Sequence, residues 1–370
     1  MRVDFEFSAE QEMLRASVRA FLAAAAPVAS VRATYDAPAG DPSVWTGLRD
    51  LDVTGLLVDE AAGGAGRGMV DAAVVLEELG RAVCPAPYIS SAVGAVTLAD
   101  AVLLPRLADG SSVATLALFE PTTRYAWERP ATRATRTGHR WRIDGEKVHV
   151  ADANVADVVL VTAVDESGML GVFACDTFDA RPVPGIDGSR KTGAITFAGC
   201  EASRVDTTDD ARAAIARTLD RVGVAVAVDA VGAAQRALEL VLEYAKEREQ
   251  FGKPIGAFQA VQHLCADMLR TVELGRAAAY YACSAFDDAS AEEAHRAATI
   301  ARAFASDAFP ALGGSAIQVF GGIGFTWEHD IHLYFKRLLS ASYVLGTATE
   351  HLEELASIAI DATAGAATPS

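Results

Sequence analysis

Residues 141–150 read Trp-Arg-Ile-Asp-Gly-Glu-Lys-Val-His-Val, a short run with an Asp144-Gly145 turn signal inside it. Runs of the same kind stand on either side: VATLALF at 113–119, DVVLVTAV at 157–164, MLGVFAC at 169–175 and AITFAGC at 194–200. Ser167-Gly168 supplies another turn between two of them. Short apolar runs punctuated by turn residues read as a small antiparallel sheet. No run is followed promptly by a helical pattern, which disfavours a doubly wound parallel sheet.

Outward from this segment the period changes to that of helices. Towards the N-terminus, Ser8 and Gln11 fit a capping box, and Leu14, Val18, Phe21 and Leu22 then share one face. A break at Gly63, Gly64 and Gly66 precedes a second helix through Val74, Leu76 and Leu79 that ends near Gly80. Towards the C-terminus the helical period returns after Asp209. Leu238, Val241, Leu242 and Ala245 form one stripe, and Val261, Leu264, Met268 and Val272 form another. The reading is an α+β protein in three parts: an N-terminal helical domain over 1–112, a middle β-domain over 113–208, and a C-terminal helical bundle over 209–370.

Composition narrows the function classes. The chain has 370 residues, 51% hydrophobic and 22% charged, which is globular rather than disordered. Its formal net charge of −17 argues against nucleic acid as a partner, because phosphate binding needs a concentrated basic surface. No run approaches the roughly 18 consecutive apolar residues of a membrane span. The acidic start MRVDFEFSAEQ lacks the basic and apolar regions of a signal peptide, so a cytoplasmic location without membrane attachment is expected. The five cysteines (Cys84, Cys175, Cys200, Cys265, Cys283) include no CxxC, and no His stands at metal-ligand spacing; buried reduced thiols and no metal site are expected.

Several motifs then carry a resemblance. FSAEQEMLRASVRAFL, GLLVDEAAGGAG and LEELGRA lie in the first part and IDGEKVHVADANVADVVLV in the middle. YAKEREQFGKPIGAFQAVQHLCADM and QVFGGIGFTWEHDIHLYFKR lie in the last. In this order they resemble the acyl-CoA dehydrogenase family over nearly the whole chain. The resemblance implies that family's fold, FAD as cofactor, an acyl-CoA substrate, and an acceptor of the electron-transfer flavoprotein type. It also implies that Arg248, Phe251, Gln259, Gln318, Gly321 and Gly322 hold the ADP half of a neighbouring subunit's FAD, with Thr347 and His149 as further flavin contacts. The chemistry fits without the name. A guanidinium beside an aromatic ring can grip a pyrophosphate, and Gly321, Gly322 and Gly324 let backbone approach a ligand. Taken singly, Arg248 is also a solvated helix-end cation and Gly321-Gly322-Ile323-Gly324 a turn.

The sequence also departs from the family. The family's catalytic Glu takes the α-proton of the thioester, most often immediately before a Gly-Thr; here Leu345 precedes Gly346-Thr347. In other members the Glu stands on the long helix entering the bundle; that position is Val222, and the arginine expected after it is Gly223. Asp229 is the remaining nearby carboxylate, about 10 Å farther along the helix, and reads either as a buried structural group or as a substitute base. Glu350 lies on a different face. The flavin-ring triplet is replaced by His149-Val150-Ala151, and the donor loop before it by Phe119-Glu120-Pro121-Thr122-Thr123-Arg124.

The half that acts in the chain's own cleft is eroded, and the half that reaches a neighbour's FAD is kept. That resembles the base-less subunit of the α2β2 acyl-CoA dehydrogenases of sterol side-chain degradation, in which a homologous subunit supplies the Glu. Two alternatives stand beside it: a homo-oligomeric dehydrogenase using Asp229, and a non-catalytic protein of this fold that binds acyl-CoA or a partner.

Overall fold

The computed structural model describes residues 7–35, 37, 42–123, 125–206 and 210–366, with side chains to 360. Arg124 and Asp209, both used in the sequence reading, lie outside the described residues, as do residues 1–6 and 367–370. The chain is built as helices, then a sheet, then a helical bundle.

The N-terminal part contains α1 (Ala9–Ala25), α2 (Val28–Thr34), α3 (Pro42–Asp50), α4 (Met69–Arg81) and the short α5 (Leu104–Ala108). The expected capping box starts α1: Gln11 N–H donates to Ser8 Oγ at 3.1 Å, and Ser8 N–H to Gln11 Oε1 at 3.0 Å. Two unfilled donors are thereby satisfied at the helix start, while Val18 and Leu22 turn into the core.

The middle part holds β1 (Ala114–Ala117), β2 (Arg133–Thr137), β3 (Arg140–Ala151), β4 (Val158–Asp165), β5 (Leu170–Cys175), β6 (Asp179–Val183) and β7 (Thr192–Arg204). Their order is β1-β4-β2-β3-β7-β5, β6 lies on β7, and a β4–β5 ladder closes the sheet on itself. Most ladders are antiparallel, as expected, but β4 runs parallel to β1 and to the start of β2. No helical crossover is needed, because the β2–β3 hairpin fills the connection.

Asp144-Gly145, read as a turn, lies inside β3. A Cβ on Gly145 would sit 2.9 Å from Thr132 Cα, so the glycine serves close backbone approach at a bulge. The turn falls at Gly138 instead (φ +64°). In the middle part, the strands that sequence missed are β2, whose residues are mostly exposed, and β6, an edge strand carrying Pro182.

The bundle comprises α6 (Ala211–Glu247), α7 (Gln259–Asp288), α8 (Ala291–Phe320), α9 (Ile331–Ala341) and α10 (Ala348–Ala366). Between α6 and α7 lies an unforeseen small hairpin, β8 (Glu249–Gln250) with β9 (Lys253–Pro254). By length and composition α8 passes as a possible membrane span, yet it packs against α6, α7, α9 and α10 as the bundle's central helix. Helices α4 and α6 cross at two glycines. A Cβ on Gly80 would lie 1.8 Å from the Asp229 carbonyl oxygen, and one on Gly232 1.9 Å from that of Glu77. This contact sets Asp229 against the N-terminal helices, next to the cleft.

Candidate active cleft

Between the three parts lies a cavity of about 330 Å³, at the small end of ligand pockets. Leu79, Ile89, Leu116, Leu219 and Val226 give it apolar walls, and Val222 and Leu345 line it too. Both positions where the family would carry its base therefore face one cavity, and both are apolar. Leu345 holds a left-handed backbone (φ +64°), a strained setting for a branched side chain. The space left by the glycine at 223 is taken from α8: a Cβ there would meet Arg302 Cδ at 2.5 Å. Arg302 in turn pairs with Asp220 at 3.2 Å and Glu354 at 3.1 Å.

Asp229 lines the cavity but is fully committed. Arg337 Nη1 donates to its two oxygens at 2.9 and 3.2 Å, and Arg190 Nη2 lies 2.7 Å from Oδ2. Arg337, 1% exposed, has no donor group to spare. Its Nε pairs with Asp187 at 2.7 Å, and its Nη2 donates to the Cys84 carbonyl at 3.1 Å and to Ser189 Oγ at 2.8 Å. Burial works against the guanidinium charge, but Asp229 and Asp187 outweigh it and hold its pKa above the ordinary arginine value. The same arginine outweighs burial at Asp187 and pulls that carboxyl below its usual range. This arrangement supports the structural reading of Asp229 over the substitute base. Glu350 is also engaged: its Oε2 accepts from Thr347 N–H at 2.7 Å and from Thr347 Oγ1 at 2.8 Å, an N-cap for α10. Thr347, a flavin candidate by resemblance, thus spends its hydroxyl on the cap.

At the mouth, His149 lines the cavity with φ +53°, beside a register shift between Lys147 and Val150. Phe119 and Tyr125 meet edge to face at 5.5 Å, and the Tyr125 hydroxyl donates to the Tyr343 carbonyl at 2.5 Å. Aromatic bulk stands where the family has small donor residues. Glu120, in the same loop, is buried and pairs with Lys147 Nζ at 2.9 Å, which makes it structural. This cleft does not fit a flavin ring in the family's manner.

The other set of candidates gathers at one end of the bundle. Arg248 caps the C-terminus of α6, Gln318 sits in the last turn of α8, Gly321 and Gly322 follow it, and Gln259 opens α7. Tyr244 stacks on Phe320 at 4.4 Å and brings the ends of α6 and α8 together. Arg248, Gln259 and Gln318 are exposed, and their side chains have no hydrogen-bond or ion-pair partner among the described residues. Phe251 is 93% exposed and left-handed (φ +54°) at the tip of the β8–β9 hairpin. Added Cβ atoms on Gly321 and Gly322 would meet nothing within 4 Å. Open backbone, an uncommitted guanidinium and a free aromatic face fit the ADP half of FAD. Gly324 differs: a Cβ there would lie 3.0 Å from Phe320 Cβ, so it serves packing.

Sequence reasoning missed Arg337, Arg190 and Asp187. Arg337 stood inside a quoted motif, but nothing in spacing marks an arginine whose partners lie 108 and 150 residues away.

The chain belongs to the acyl-CoA dehydrogenase family. Residues 8–103 match the acyl-CoA dehydrogenase N-terminal domain and residues 212–360 the C-terminal domain. Acyl-CoA dehydrogenase IpdE2 of Mycolicibacterium smegmatis is 33% identical over 358 residues, covering 94% of this chain and 98% of that protein. Among solved structures, a variant of the Tcur3481-Tcur3483 steroid ACAD superposes with TM-score 0.86 at 30% identity, covering 96% of this chain and 99% of that one. The ChsE4-ChsE5 complex from Mycobacterium tuberculosis has the same fold, with TM-score 0.86 at 24% identity, covering 100% of both chains.

Proposed function

We propose that this chain is the base-less subunit of an FAD-dependent acyl-CoA dehydrogenase, working beside a homologous subunit that carries the catalytic Glu. The observation that carries the reading is the contrast between two regions. Val222 and Leu345 leave the cleft without a base, while Arg248, Phe251, Gln318, Gly321 and Gly322 stand open at the bundle end.

FAD, when bound, accepts the hydride from Cβ of the acyl thioester. This chain's part is to hold the partner's cofactor: Arg248 on the pyrophosphate, Phe251 over a flat ring, and the backbone at Gly321-Gly322 close to the dinucleotide. The α-proton goes to the partner's Glu. The substrate class is an acyl-CoA thioester of fatty-acid or sterol side-chain β-oxidation; the steroid dehydrogenase among the structural relatives supports the second. The electrons would pass on to an acceptor of the electron-transfer flavoprotein type.

A multimer built through the bundle follows. Phe325 (79% exposed), Trp327 (59%), Leu274 (53%) and Leu269 (50%) are more apolar surface than a lone bundle covers.

The test is reconstitution with a Glu-bearing homologue and FAD, reading the flavin-to-protein ratio and turnover of acyl-CoA thioesters. The isolated chain should turn over slowly, since a positioned base contributes about 10²–10⁴-fold, and the complex should be active. Robust turnover by the isolated chain overturns the reading.

A further inference from the structure

The cleft has lost its base and its flavin cradle, yet it remains an open cavity with charged groups at one end. Three cations line it, Arg337, Arg190 and Lys191, with three carboxylates, Asp187, Asp229 and Asp152. Most of these groups are spent. Arg337 uses all its nitrogens on Asp187, Asp229, Ser189 and Cys84, as described above. Lys191 donates to the Thr34 carbonyl at 2.5 Å. Asp187 accepts from Ser189 N–H at 3.0 Å and Oγ at 2.5 Å, and Asp152 from Ser90 Oγ at 2.5 Å.

Arg190 is different. A guanidinium has five N–H donors, and among the described residues only Nη2 has a partner, Asp229. Nε is buried with no hydrogen-bond partner among them, and the side chain is 23% exposed where it lines the cavity. Buried donors without acceptors are costly, and a forked cation with unused donors matches a carboxylate. The carboxylates near it do not oppose that role equally. Arg337 and Arg190 together offset Asp187 and Asp229, Lys191 adds a further cation at this end of the cavity, and burial pushes Asp152 above the usual carboxylate range.

We propose that this cleft is a second, non-reactive ligand chamber in which Arg190 takes the distal carboxylate of a short acyl thioester whose chain lies along Leu79, Ile89 and Val226. The choice of a thioester rests on the dehydrogenase reading above; the carboxylate rests on Arg190. Val222 and Leu345 offer no proton acceptor, so the ligand is bound without being converted.

The experiment is calorimetric titration of the purified full-length chain, without added flavin or partner, with adipoyl-CoA and with hexanoyl-CoA. The two differ only in the terminal carboxylate. Adipoyl-CoA should bind more tightly by on the order of tenfold or more, the range of one charge-assisted contact. Arg190→Met should abolish that preference, and Arg190→Lys, which keeps a charge without the fork, should retain part of it. Equal affinities in the unsubstituted chain, binding of neither thioester, or a preference that survives in Arg190→Met each overturn the proposal. Flavin uptake and turnover by the reconstituted complex report on the subunit reading separately. An active complex beside a chain with no preference would sink this inference and leave that one standing.

Discussion

Arg337 on α9 holds the carboxylate of Asp229 on α6 through Nη1 at 2.9 Å, with both side chains almost wholly buried. The acid that sequence nominates as a substitute base is therefore half of an ion pair. Replacing it by Asn should destabilise the chain by about 3–5 kcal/mol, because Arg337 and Arg190 would keep buried charge with one partner fewer. Denaturant unfolding measures this directly. An Asp229→Asn chain of unaltered stability that loses acyl-CoA turnover would identify a base instead.

Removing the guanidinium at the bundle end should act on cofactor rather than on fold. Arg248 is exposed and its side chain has no partner among the described residues, so Arg248→Ala should leave the unfolding midpoint of the isolated chain in place. In the assembled complex it should weaken flavin binding by about 1.5–3 kcal/mol, the worth of a charged hydrogen bond. Flavin content after dialysis is the readout.

The hairpin tip carries a stability cost that function would explain. Phe251 adopts φ +54° in full view of solvent. A left-handed conformation costs a non-glycine residue about 1–2 kcal/mol, so Phe251→Gly should raise the thermal midpoint of the isolated chain slightly. The same change should lower flavin retention in the complex, because the aromatic face is gone. A variant stabilised with flavin retention intact would show that the ring has no ligand.

The network holding α10 should make stability depend on pH in a defined window. His295 Nδ1 lies 2.8 Å from Asp220, and that hydrogen bond raises its pKa above the ordinary value. Stability from this pair is complete below the unfolded histidine pKa of about 6.5 and is lost as pH rises through the folded one. Glu354 is lowered by His351, whose Nδ1 lies 3.9 Å away, and by Arg302, so its contribution is present above about pH 4.3 and is lost as pH falls through its folded pKa. The network is strongest between these limits. His295→Gln should flatten the upper limb of the midpoint-versus-pH curve and, because His295 also helps to lower Glu354, weaken the lower limb to a smaller extent.

Two glycines of α6 should respond differently to one added methyl. Gly232→Ala drives Cβ to 1.9 Å from the Glu77 carbonyl oxygen, where only movement of two helices gives relief. A loss of about 3 kcal/mol or failure to fold is expected, at the upper end of overpacking costs. At Gly223 the obstacle is the Arg302 stem, a flexible side chain, so Gly223→Ala should cost less and loosen the Arg302 pairs instead. Comparison of the two unfolding midpoints decides the point.

The helical and sheet segments were legible because their signals are local. The Ser8–Gln11 box and the period changes near Val113 and after the middle strands need no distant contact. Asp144-Gly145 misled for a physical reason: glycine marks tight turns and close approaches alike, and only Thr132, brought across by tertiary structure, tells them apart. Strand β2 was illegible because its outward residues carry no apolar pattern. Val222 and Leu345, where the resemblance implies a base, were readable residue by residue, and both line the cavity. The charge network beside them was not, since its members are scattered over α6, α9 and the β6–β7 connection.

That scattering bears on how the chain can be dissected. The guanidinium of Arg337 touches the Cys84 carbonyl after α4, Asp187 and Ser189 before β7, and Asp229 in α6. A fragment ending before α9 would retain Asp187, Asp229 and Arg190 but lose Arg337, the cation that bridges the two carboxylates. A bundle expressed by itself would retain Arg337 and Asp229 but lose Asp187, Ser189 and the Cys84 carbonyl. Neither piece inherits a self-sufficient interior, so the three parts are expected to melt as one cooperative transition despite looking separable in sequence.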